Sequence, residues 1–154
     1  MQQIGEILII SSNFHEEIAE ISLRVARNLL RETCTVPKEM TVPGLLEIAG
    51  AMNFALESHE YDGIIVSGCV TKQDILQNEI ILHECLKSTQ ELAIHYSMPT
   101  GFGIMMTDNT EQAAEQSKEC MTNAINSCIS LMQIKHEMLT RNNLNKNSSS
   151  HIYS

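Results

Sequence analysis

The run Ile64-Ile65-Val66-Ser67-Gly68-Cys69-Val70, opened by Tyr61-Asp62-Gly63, constrains this chain more than any other stretch. Small and β-branched apolar residues with Gly63 and Gly68 among them read as a strand buried on both faces. The sequence then turns polar at Thr71-Lys72-Gln73-Asp74 and regains helical apolar spacing from Asn78 to Tyr96. A buried strand, a loop and a helix form half of a βαβ unit. In open parallel sheets, ligands bind beyond the carboxyl ends of the strands, which directs attention to Cys69–Gln77. The same pattern also suits a βα turn that does nothing but build a core.

The rest of the chain repeats that unit. Ile7–Ile10 reads as a first strand, and Ile18, Ile21, Val25 and Leu29 recur at helical spacing through Glu16–Arg31. Asn13 is the predicted N-cap of that helix, with Glu16 and Glu17 suited to its positive end. Phe14 can staple the helix start or offer a stacking platform. Thr33–Val42 reads as an extended piece, with Pro37 arguing for an edge or irregular strand. Val42-Pro43-Gly44 is a turn, and Leu45–Glu57 a second helix with Ile48, Met52, Ala55 and Leu56 inward. Glu47 in its first turn complements the helix dipole. Thr100–Thr107 is a fourth strand, and Asp108-Asn109 caps a long last helix. Four βα repeats specify an α/β fold with a doubly wound parallel sheet. From Thr140 the composition turns to Asn, Ser and Lys, which predicts a globular unit over 1–139 and a disordered tail over 140–154.

Composition narrows function mainly by exclusion. A chain of 154 residues with mean hydropathy −0.09 suits one soluble domain. No apolar run approaches the roughly 20 residues of a membrane span, and the start Met1-Gln2-Gln3 lacks a basic secretory leader. Cytoplasmic residence and no membrane partner are the expectations. The net charge of −9 argues against nucleic acid, which needs clustered cations. The five cysteines form no Cys-x-x-Cys pair and the six histidines show no ligand spacing, so neither a disulfide framework nor a metal site is expected. No phosphate-binding glycine loop or nucleophile elbow occurs, and no cofactor is expected.

Four segments, in order and at matching separations, resemble the lumazine synthase family of riboflavin biosynthesis. They are Ser12-Asn13-Phe14-His15-Glu16-Glu17-Ile18, Val42-Pro43-Gly44-Leu45-Leu46-Glu47-Ile48, Tyr61–Val70, and Phe102-Gly103-Ile104 with Thr107-Asp108-Asn109-Thr110-Glu111-Gln112-Ala113. The resemblance runs from about Gly5 to about Met138. It implies a flavodoxin-like three-layer sandwich with a four-stranded parallel sheet, assembled as a homopentamer or a multiple of one, with sites between subunits. It also implies two small-molecule substrates, 5-amino-6-(D-ribitylamino)uracil and 3,4-dihydroxy-2-butanone 4-phosphate, joined to give 6,7-dimethyl-8-ribityllumazine.

Residue by residue, the resemblance implies that Phe14 stacks on the pyrimidine. Leu45, Leu46 and Glu47 match the segment that holds the uracil and the ribityl chain. Cys69, Val70 and Thr71 match the strand end that hydrogen-bonds the same substrate. Phe102 matches an aromatic supplied by the neighbouring subunit. The other half of the pattern departs. Lys72-Gln73-Asp74-Ile75 stand where the family has its Arg-Gly-Glu/Ala-Thr loop, so Asp74 and Ile75 fall at phosphate-loop positions. Gln77 stands at the family's catalytic His, Gln116 at its phosphate-binding Arg, and Asn123-Ala124-Ile125 at its Asn-Lys-Gly. His15, in place of a family Asn, is the candidate substitute proton carrier, with Lys72 a nearby cation. The implied function is the family's transferase reaction with atypical phosphate and proton-transfer positions. The alternatives are a catalytically degenerate oligomer that binds a pyrimidine, and a flavodoxin-like carrier of a flavin.

Overall fold

The computed structural model describes residues 4–33, 35–74 and 78–150. Four parallel strands lie in the order β2-β1-β3-β4, with β1 Ile7–Ser12, β2 Lys38–Val42, β3 Gly63–Thr71 and β4 Thr100–Thr107. Between them run α1 Glu16–Glu32, a 3₁₀ turn Leu45–Glu47, α2 Ile48–Ser58 and α3 Asn78–His95, and α4 Thr110–Ser150 follows the last strand.

Two buried clusters show how the helices are layered. Leu8, Ile10, Ile64 and Val66 pack with Ile48, Met52 and Leu56 of α2 and Cys85 and Ala93 of α3. Ile7, Ile9 and Ile65, pointing the other way, pack with Leu23, Ala26 and Leu30 of α1 and Met121, Ala124 and Cys128 of α4. Alternation along a strand sends neighbouring side chains to opposite faces, so β1 and β3 feed both clusters. Both strands are buried at every residue. The fold is an α/β three-layer sandwich around an all-parallel sheet. Right-handed crossovers explain the layering: β1 leads leftward to β2, whereas the later connections run rightward and place α2 and α3 on the opposite face.

Several local expectations shift. The second strand is confined to Lys38–Val42, an edge strand with an exposed face, because Pro37 has no N–H for the ladder. The segment after Gly44 is a 3₁₀ turn before α2 rather than one helix, burying Leu45 while Leu46 and Glu47 point outward. The N-cap of α1 is His15, not Asn13. The Asn13 N–H is bonded to the Val42 carbonyl at 2.9 Å, so the chain is still paired to β2 at that point and turns helical three residues later, at Glu16. At α4 the expected cap is present: Asn109 Oδ1 accepts the Gln112 N–H at 2.8 Å, and Gln112 Oε1 accepts the Asp108 N–H at 2.7 Å. α4 runs as helix to Ser150, with every side chain beyond Met132 exposed and none added to the core.

β4 and α4 touch at their backbones. A Cβ on Gly101 would run into the Ala124 carbonyl, and Gly103 faces the Ala124 side chain on the same surface. Gly101→Ala should therefore push α4 off the sheet and lower unfolding free energy by roughly 1–3 kcal/mol. Gly50→Ala, in α2 with open space around it, should be neutral or stabilise by roughly 0.5–1 kcal/mol. Urea titration of both variants checks the pair, and a tolerated Gly101→Ala would show that the helix has room to move.

Candidate functional site

β1 leads to one side of the sheet and β3 to the other, so the point where the connections diverge lies between their carboxyl ends. A cleft of about 200 Å³ opens there. Ser12 and Phe14 reach it from the end of β1, Gly44, Leu45, Leu46 and Glu47 from the 3₁₀ turn, and Cys69 and Val70 from the end of β3. Asp74, Asn78 and Ile81 complete its described lining from the following turn and helix. Close packing beneath it needs Gly68, where a Cβ would collide with Leu45 and crowd Ser12.

Phe14 is 61% exposed, too open for a staple holding the start of α1, and its ring lies on the cleft. Leu46 beside it is 60% exposed. Two large apolar side chains left open at a concave site form a platform on which a flat ring can stack.

The turn after β3 is held by polar contacts. The Thr71 N–H donates to Asp74 Oδ2 at 2.7 Å, and the Asp74 N–H donates to the Thr71 carbonyl at 3.1 Å. That carbonyl also accepts the side-chain amide of Asn78. His15 Nε2 lies 3.0 Å from the same Asp74 oxygen, and its ring meets Phe14 edge-on with centroids 5.0 Å apart. Burial alone would raise the Asp74 carboxyl, but the hydrogen bonds from Thr71 and His15 outweigh it and hold the group below its ordinary value. An ionised carboxylate only accepts, so His15 Nε2 carries the proton between them.

Other candidates lie elsewhere. Lys72 Nζ pairs with Asp108 at 2.8 Å, across the ends of β3 and β4. Gln116 is exposed on α4 and is not part of the cleft lining. Phe102 lines two other depressions, one with Ile94, Leu131 and Ile134 and one with His83 and Lys87. Thr71 is buried and shapes the cleft through its backbone. Gln77 and Ile75 fall outside the described residues. Burial pushes the thiol of Cys69 up, and those of Cys85 and Cys128 up to about 11 and about 12, so none is a ready nucleophile. Among the described residues, no group of three or more His, Cys, Asp or Glu could hold a metal ion, and no helix is long and apolar enough to cross a membrane.

A family profile described as 6,7-dimethyl-8-ribityllumazine synthase matches residues 5–136. The chain belongs to that family. Among its curated lumazine synthase relatives, one from Bartonella tribocorum is 32% identical over 77% of this chain and 80% of its own length. Another, from Rhodopseudomonas palustris, is 34% identical over 72% and 71%. A third, from Azorhizobium caulinodans, is 30% identical over 88% and 89%. Phe14, the Leu45–Glu47 turn and the Cys69–Val70 strand end, far apart in sequence, share one cleft.

Sequence reasoning did not single out Ser12, Gly44, Asn78 or Ile81 as cleft residues. Asn78 had a readable signal, an amide side chain opening a helix just after the turn it ties down. Ile81 had none beyond helical spacing.

Because the folded state holds Asp74 below an unfolded value of about 3.9, its contribution to stability is complete above that value. The contribution is lost as pH falls through the lower folded value. The gap in melting temperature between wild type and Asp74→Asn should thus be constant near pH 5–6 and shrink toward pH 2. A gap independent of pH across that range would show that the carboxylate is not held ionised by its neighbours.

Proposed function

We propose that this chain condenses 5-amino-6-(D-ribitylamino)uracil with 3,4-dihydroxy-2-butanone 4-phosphate to 6,7-dimethyl-8-ribityllumazine, as a step of riboflavin biosynthesis. The observation that carries this reading is the cleft at the divergence of β1 and β3, in a chain of this family, which gathers Phe14, Leu45–Glu47 and Cys69–Val70. Phe14 stacks on the pyrimidine, Glu47 anchors its polar edge or ribityl chain, and the Cys69–Thr71 backbone reads the ring by hydrogen bonds. The amine attacks the butanone carbonyl, an imine forms with loss of water, phosphate leaves, and the ring closes. The enzyme works as a homopentamer or a multiple of one, in which Phe102 and Gln116 of a neighbouring copy face Phe14 and Glu47.

Stacking and hydrogen bonding need no titrating group, so the pyrimidine half keeps its function. The phosphate half is weakened, because Gln116 lacks the bidentate charged contact of Arg and Asp74 brings a negative charge. Asp74 in the cleft lining favours a second reading, an oligomer that binds the pyrimidine or a flavin without turning it over.

Steady-state kinetics on both substrates separate the readings. Wild type should form the lumazine slowly, with a high KM for the phosphate substrate. Gln116→Arg should lower that KM by roughly ten- to a hundred-fold, the scale of one charge-assisted hydrogen bond. Gln77→His should raise turnover by up to roughly 10²-fold, the lower end of general acid–base help. Absence of product in wild type and in the double variant, with the aminouracil still bound, would establish the second reading. Rates that neither reversion improves would move these roles to other residues.

Light scattering at micromolar concentration should give a mass near five times the 17.2 kDa chain, or a multiple of that. A monomer would remove the shared site.

A further inference from the structure

We propose that Asp74 makes its end of the cleft a subsite for a hydrogen-bond donor or cation, an amino group on a bound pyrimidine first of all, and that His15 positions the carboxylate for it. The identity of the ring rests on the function proposed above; the subsite rests on the geometry. Asp74 lines the cleft with Phe14 and Glu47. Its Oδ2 is fixed by the Thr71 N–H at 2.7 Å and His15 Nε2 at 3.0 Å, with the two side chains only 12% and 18% exposed. A carboxylate whose Oδ2 is held by the strand end and by His15 at the start of α1 keeps its place in the lining when a ligand arrives.

The charges around it point the same way. The described lining carries Glu47 and Asp74 and no Lys or Arg. The neighbouring cation, Lys72, is occupied by Asp108 at 2.8 Å. Ionised carboxylates accept hydrogen bonds and repel anions. The chemistry this end recognises is therefore an amine or an ammonium. His15 works through Asp74: its Nε2–H offsets part of the charge and sets the rotamer, and its ring edge packs on Phe14, so stacking platform and acceptor hold a fixed relation.

Calorimetric titration of the full chain with 5-aminouracil and with uracil tests this without turnover. The two probes share the ring that Phe14 would stack on and differ by the amino group. Wild type should bind 5-aminouracil roughly ten- to a hundred-fold more tightly than uracil, the scale of a hydrogen bond to a charged group. Asp74→Asn should bring the ratio to within about three-fold while leaving uracil affinity in place. His15→Gln should lower the ratio part of the way. Phe14→Ala should weaken both probes alike. If D74N fails to fold, the wild-type ratio and H15Q still decide the matter. Equal affinity of wild type for the two probes, binding of neither, or competitive displacement of 5-aminouracil by inorganic phosphate would overturn the proposal. A chain that forms the lumazine but shows no amino preference loses the subsite and keeps the reaction. One with the preference and no product does the reverse.

Discussion

The pairing of β1 with β3 is the constraint on which the rest depends. Ile7–Ser11 lie in parallel register against Gly63–Ser67, and every residue of both strands is buried. Two strands buried on both faces can exist only if helices cover both sides. Right-handed crossovers then place α1 and α4 on one face and α2 and α3 on the other. The divergence of the connections leaves a gap at the carboxyl ends, and that gap is the cleft. At the opposite ends of the pair, the Glu6 carbonyl accepts the Asp62 N–H at 2.8 Å, and the Asp62 side chain accepts the Glu6 N–H at 2.9 Å. The scaffold is therefore fixed at its closed end and open where a ligand can enter.

Much of this was legible in the residues because burial dictates periodicity. Ile64–Val70 could be nothing but an inner strand, and Thr100–Thr107 matched its strand end to end. What could not be read was set by competition between local and distant partners. Asn13 has the chemistry of an N-cap, but its backbone still pairs with β2, and the helix starts at Glu16 with His15 as its N-cap. Glu47 reads as a first-turn acid, and it sits on a 3₁₀ turn that presents it to the cleft. The long α4 could be read only as far as its apolar face persisted; beyond Met132 no buried side chain sets a period.

The cleft was legible in a more limited way. Its apolar members come from motifs carried by three separated segments, and the structure unites them. The partnership of His15 with Asp74 joins residues 59 positions apart, and no spacing rule announces such a pair. Each residue read alone suggested something else, His15 a proton carrier and Asp74 an intrusive charge. Together they form a bonded unit, which alters what each can do. An imidazole committed through Nε2 to a carboxylate is less free to shuttle protons, and a carboxylate held by two donors is harder to protonate.

That unit bears on how an anionic substrate could be handled. Two unit charges about 4 Å apart interact by roughly 4 kcal/mol at the effective dielectric of a protein surface. One charge-assisted hydrogen bond returns roughly 1.5–3 kcal/mol. A cation restored on α4 and the Asp74 carboxylate therefore act on a phosphate in opposite directions and with comparable strength. A more distant Asp74 would change the balance in favour of the cation. Under the proposed arrangement the two halves of the cleft are unequal. The ring platform at Phe14 is indifferent to charge, whereas the turn at Thr71–Asp74 is not. Under that proposal, tight binding of the first substrate and poor use of the second have part of their cause in this one bonded turn, beside the missing cation at Gln116.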